Sequence, residues 1–142
     1  MKKQYKTILV AVDGSDQSYN ALHEAVKLAK RNDGKLHILT VIDIGRYYGM
    51  SGPTIVAEIP RLERVAEEII DQASRLVGDG INFETHVATG RPTYRIIDFA
   101  KENKIDLIVI GATGADVIDK FLLGSTTQYV VNHAPCNVMV VK

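Results

Sequence analysis

The chain has 142 residues, with 17 Lys+Arg against 17 Asp+Glu and a formal net charge of +0 at pH 7. That length suits one domain, residues 1–142, large enough to bury roughly two-thirds of its unfolded surface. The basic residues are scattered, with no run beyond Lys2-Lys3 or Lys30-Arg31, so neither nucleic acid nor an anionic membrane is an expected partner.

The lone cysteine, Cys136, excludes an intrachain disulfide and a cysteine metal cluster. It is expected to be a buried, inert thiol. At the N-terminus the apolar run Ile8–Val12 ends at Asp13. It is too short for a signal-peptide core or a membrane span, so a cytoplasmic protein is expected.

In chain order, Thr7–Val12 is a β-branched apolar run closed by Asp13-Gly14-Ser15. It predicts a buried parallel strand and a tight turn into a helix capped by Ser15 or Asp16. Ala21, Leu22, Ala25, Val26, Leu28 and Ala29 form that helix's apolar side. Asp33-Gly34 predicts its stop, with Gly34 in the left-handed conformation. Lys35–Asp43 is nearly continuously apolar and reads as a central strand.

Residues 44–59 combine Gly45, Gly49, Gly52 and Pro53 with Tyr47, Tyr48 and Met50, and read as a mobile insertion. Pro60 predicts the first turn of a second helix, whose apolar stripe runs from Leu62 to Val77. Ile81–Ala88 alternates Ile81, Phe83, Thr85 and Val87 against Asn82, Glu84 and His86. This pattern predicts an edge strand with the second set facing water. A third helix begins near Pro92, a strand covers Leu107–Ile110, a short helix surrounds Gln128–Asn132, and the last strand is Asn137–Val141. His23, His37 and His86 show no metal-ligand spacing, and no metal site is expected from them.

Strands alternating with helices predict an α/β fold, a doubly wound parallel sheet. The stretch that carries chemistry is Ile105–Thr127. It leaves a buried strand at Gly111, passes Gly114, and reaches Gly124-Ser125-Thr126-Thr127 at a helix start. Glycines let backbone approach a ligand closely. Ser125, Thr126 and Thr127 can cap the helix and donate to phosphate, and the helix start favours an anion.

The spacing G-x2-G-x9-G-(S/T), in Gly111, Gly114, Gly124 and Ser125, resembles the nucleotide-binding signature of the ATP-binding branch of the universal stress protein family. Lys6–Ser15 (KTILVAVDGS) is similar to that family's opening segment, and His133–Val141 (HAPCNVMVV) to its closing one. The resemblance implies a Rossmann-like, adenine nucleotide alpha hydrolase-like domain with five strands in the order 3-2-1-4-5. In that order the first and fourth strands flank the switch point where ligands bind.

It further implies that Ala11, Val12 and Asp13 line an adenine nucleotide and that Val41 meets the base. Gly111 and Gly114 would admit ribose and phosphates, and Gly124, Ser125 and Thr126 would hold the terminal phosphates. ATP, or ADP or AMP, with Mg²⁺ is the expected ligand. Asp13 would meet a ribose hydroxyl or lie near the metal, or else be an ordinary turn aspartate.

The chain departs from the family at Ala112-Thr113 and at Ala115-Asp116, where relatives commonly place basic residues, and at Asn137, where they place proline. Lys120 is the nearest candidate to restore positive charge. The motif G-x-x-x-x-G-K-(S/T) is absent and no lysine follows Gly124, so efficient phosphoryl transfer is not expected and no catalytic residue is assigned. The expected function is a nucleotide-dependent regulatory module of the stress response. A slow ATPase or phosphotransferase and a nucleotide-free interaction scaffold are the alternatives. Asn137–Val141 is expected to pair two copies into a homodimer.

Overall fold

A computed structural model of the chain describes residues 4–47, 52–114 and 122–142. The elements run β1 (Thr7–Ala11), α1 (Asp16–Asn32), β2 (Lys35–Asp43), a 3-10 turn (Ile44–Tyr47), α2 (Gly52–Val77), β3 (Asn82–Gly90), α3 (Pro92–Glu102), β4 (Leu107–Gly111), α4 (Ser125–His133) and β5 (Asn137–Val141). The strands form a five-stranded sheet in the order β3-β2-β1-β4-β5, and every adjacent pair is parallel. The expected strand order is the observed one, and β3 and β5 are the edges.

Successive side chains of a strand point to opposite faces, so even the continuously apolar strands feed two cores. Ile8, Val10, Leu36, Ile38, Leu107 and Val109 pack with α1 and α2. Leu9, Leu39, Ile108 and Ile110 pack with Ile96, Ile97 and Ala100 of α3 and Val130 of α4. The parallel register, Ile8 beside Leu36 and Leu107, aligns these alternations across the sheet. Cys136 is half-buried, not buried, and packs against the second core.

Three further expectations about local structure are corrected. At the end of α1 the left-handed residue is Asp33 (φ 51°), not Gly34. Aspartate tolerates that conformation. Gly34 serves a different need, because a Cβ there would lie 2.8 Å from the Tyr5 carbonyl oxygen.

The second correction is the start of α2. The helix begins at Gly52, so Pro53 lies in its first turn and Pro60 lies inside it. Both prolines fit a helix start locally. Pro60 is exposed, so the backbone acceptor it leaves unpaired can be met by water. Much of the expected insertion is therefore helix, while Tyr48 and Met50 lie outside the described residues.

The third concerns β3. Val87 is 50% exposed, while His86 and Ala88 are half-buried on the α3 side. Phe83 does join the α1–α2 core, together with Leu76 and Val77 at the end of α2. Farther along, cover comes from the opposite face, where Phe99 of α3 packs on His86 with ring centroids 4.7 Å apart.

The same face brings two histidines together. The register sets His37 beside Glu84, and His37 Nδ1 and His86 Nε2 come to 3.0 Å. Histidines without spacing in sequence are neighbours in space.

Candidate functional site

A cavity of about 390 Å³ opens at the carboxyl ends of β1, β2 and β4. Such an opening, where the chain leaves β1 in one direction and β4 in the other, is where doubly wound sheets take ligands. All of Ala11, Val12, Asp13, Val41, Gly111, Gly114, Gly124, Ser125 and Thr126 line it. A larger hollow of about 450 Å³ lies among Lys6, Lys30, Lys35 and Gly80. There Lys6 donates to the Asn32 carbonyl and Lys35 pairs with Glu84. No helix start is among its described lining residues, so the carboxyl-end cavity is the stronger candidate.

The cavity has an apolar part and a polar part. Leu39, Val41 and Ile96 meet Leu62, Val65, Ala66 and Ile69 of α2 around the first. The α2 and α3 residues were not among those expected from the sequence. Their apolar stripes signal burial in general and do not say that part of the stripe faces a cavity. The polar part is made by Asp13, Thr113, Gly114 and the start of α4.

That helix start is open. Gly124 is the N-cap, with φ −63° and ψ 155°, and no side chain caps the helix. The expectation that Ser125, Thr126 or Thr127 would cap it is corrected, since they form its first turn. Their backbone N–H groups have no acceptor within the helix, and the dipole adds positive character. Thr127 is 3% exposed and its hydroxyl donates to the Gly111 carbonyl at 2.7 Å. It ties α4 to the end of β4. Two backbone bonds complete the frame. Gly124 N–H donates to the Ala112 carbonyl at 2.8 Å, and Ala112 N–H donates to the Val141 carbonyl at 2.7 Å.

The two motif glycines near β4 differ in role. A Cβ on Gly111 would come within 3.1 Å of the Gln17 backbone at the start of α1. Gly111 is therefore required for close packing of strand against helix, rather than only for access to a ligand. A Cβ on Gly114 would lie 2.7 Å from Asp13 Oδ2, so that carboxylate rests against bare backbone. Gln17 also receives the Thr113 N–H on its side-chain oxygen at 2.8 Å.

Asp13 has the turn role weighed for it. Its Oδ1 accepts the Ser15 N–H at 2.9 Å and the Ser15 hydroxyl. Ser15 in turn caps α1 by accepting the Ser18 N–H, and the buried Ser18 hydroxyl lies 3.3 Å from the Asp13 N–H. Burial and the Asp13 charge hold the nearby Tyr19 hydroxyl above its ordinary pKa. At the β2 end, Asp43 accepts the Gly45 N–H at 2.9 Å. Among the described residues lining the cavity there are two carboxylates and no Lys, Arg or His. Ala115, Asp116 and Lys120 lie outside the described residues.

The chain is thus an open, doubly wound parallel α/β domain whose switch point carries an uncapped helix start. The family model for the universal stress protein family matches residues 4–142. The chain belongs to that family. It is similar to the universal stress protein UspA from Lactobacillus plantarum, at 37% identity over 99% of this chain and 100% of that one, with a TM-score of 0.89. It also resembles a universal stress protein solved in complex with cAMP, at 29% identity, 98% coverage of this chain, 98% of that chain and a TM-score of 0.69. A third likeness is the Archaeoglobus fulgidus universal stress protein in complex with dAMP, at 26% identity, 97% and 98% coverage and a TM-score of 0.69. Among the described residues no helix is long and apolar enough to cross a membrane.

Proposed function

We propose that this protein binds an adenine nucleotide, ATP or else ADP or AMP, and acts as a nucleotide-dependent regulatory module of the stress response in the cytoplasm. The observation that carries this reading is the convergence of β1, β4 and the uncapped α4 start on one cavity. The apolar part suits a purine and the helix start suits phosphate. The solved relatives with cAMP and dAMP support an adenylate ligand in this family.

With no described cationic side chain lining the cavity, phosphate charge rests on backbone N–H groups and on a Mg²⁺ ion. The chemistry of the Asp13 carboxylate suits a hydrated Mg²⁺. In this reading the ion offsets the repulsion that a carboxylate would otherwise exert on the phosphates. Among the described residues no cationic side chain lines the cavity to clamp a transition state, so binding without efficient turnover is the function proposed. Two copies pair through β5, an edge strand on which Val140 is 37% exposed. Sedimentation at micromolar protein then gives the mass of a dimer, and a monomer removes this part of the reading.

The decisive experiment is mass spectrometry of small molecules released from the denatured native protein, followed by calorimetric titration with ATP, ADP and AMP with and without Mg²⁺. The expected result is a resident or titratable adenine nucleotide, with affinity lowered at least about tenfold by Gly124→Val, which crowds the helix start. The fold of that variant is retained, because φ −63° is open to any residue. Failure of every adenine nucleotide to bind overturns the proposal and favours a nucleotide-free scaffold.

A further inference from the structure

We propose that His37, Glu84 and His86 form a zinc site on the edge of the sheet, separate from the nucleotide cavity. His37 is the third residue of β2, and Glu84 is its register partner on β3. His86 lies two residues on, so its side chain shares the face of Glu84. All three point to the α3 side, where Phe99 packs against both imidazoles with ring centroids 5.5 and 4.7 Å away.

The three donor atoms converge. His37 Nδ1 to His86 Nε2 is 3.0 Å. Glu84 Oε2 lies 3.7 Å from His86 Nε2 and 3.9 Å from His37 Nδ1. A point equidistant from the corners of that triangle lies about 2.1 Å from each, the length of a zinc–nitrogen or zinc–oxygen bond. Two imidazoles and a carboxylate are a recurrent zinc ligand set. The equidistant point lies in the plane of the donors, so tetrahedral coordination with water as the fourth ligand requires the ion to sit out of the plane and the donors to readjust by a few tenths of an ångström.

The surroundings hold the donors in place. Lys35 Nζ binds Glu84 Oε1 at 2.7 Å, which orients the carboxylate and leaves Oε2 on the side of the imidazoles. Such outer partners commonly fix metal ligands. His37 is 5% exposed and half-buried His86 stacks on it, so the rings lose little freedom when they bind. Burial lowers the pKa of both histidines, and the charges on His86 and Lys35 lower that of His37 further against the opposing effect of Glu84. The neutral form that results is the one that ligates metal. The Lys35 charge opposes a cation at this place, and its ion pair with Glu84 offsets that opposition.

The ion would join β3, an edge strand, to the sheet interior through side chains. The test uses the full chain, stripped with chelator and dialysed. Zn²⁺ titration should show one ion per chain at this site. Co²⁺ in its place should give the visible absorption of a four-coordinate nitrogen–oxygen site. His86→Gln should weaken zinc binding by on the order of 100-fold, and Glu84→Gln by about tenfold, while His133→Gln leaves it unchanged. Zinc should also raise the melting temperature of the wild type and not that of His86→Gln. Circular dichroism of each variant shows that the fold persists, and exposed Glu84 gives a second readout if His86→Gln disturbs the edge. Absence of zinc binding, or equal binding by wild type, His86→Gln and Glu84→Gln, overturns the proposal and leaves an N–H···N bond between neutral rings. The nucleotide titrations are carried out without zinc, so the two readings stand or fall separately.

Discussion

The carboxyl-end cavity and the β2–β3 histidine cluster are built by opposite means. The polar part of the first draws largely on backbone, from Gly111, Gly114, Gly124 and the N–H groups of the first turn of α4. The second is made wholly of side chains that two parallel strands hold in register. A backbone site demands residues without side chains at set intervals and so leaves a spacing in the sequence. A site made across strands leaves none, because the register that assembles it is set by core residues elsewhere on those strands.

The contrast can be pressed hardest at Gly111. Gly111→Val drives methyl groups toward the Gln17 backbone, which cannot step aside as a flexible side chain would. We expect a loss of about 3 kcal/mol in urea unfolding, in contrast to Gly124→Val, which should lose ligand and little stability. Equal stability of the two would show that the motif glycines share one role. Next is Thr127→Val, which keeps shape but removes the hydroxyl that binds the Gly111 carbonyl. A loss of about 1–2 kcal/mol is expected by the same measurement.

The smallest effect belongs to the histidine cluster in metal-free, chelated protein. His37 and His86 both have pKa values lowered in the fold, so the unfolded chain binds protons that the folded chain refuses. Stability is then full above the unfolded histidine pKa of about 6.5 and falls as pH drops below it. Denaturation series across that range should show the fall, and His86→Gln should flatten it.

The sequence was informative where one short stretch decides the outcome. The strands in Thr7–Val12 and Leu107–Ile110 are apolar throughout, and their burial on both faces follows from that. Ser15 caps α1 as its chemistry predicts. Local signals failed where tertiary neighbours choose between permitted options. Pro53 and Pro60 can each begin a helix, and only the placement of α2 selects the first. Asp33 and Gly34 can each adopt the left-handed turn, and the nearby Tyr5 carbonyl decides which position must lack a side chain. At Val87 the alternation reads as inward, but the covering helix packs on the other side. For the cavity, the motif residues were legible, whereas Leu62, Val65, Ala66 and Ile69 were not. Their part depends on how α2 lies over the sheet.

The Ala112 peptide carries a consequence of its own. Its carbonyl receives Gly124 at the head of α4, and its N–H reaches Val141 at the end of the outermost strand. Those bonds, at 2.8 and 2.7 Å, tolerate only a few tenths of an ångström before they weaken. A shift of the helix head by a full ångström would therefore either snap this two-step linkage or pull the chain's far margin along with it.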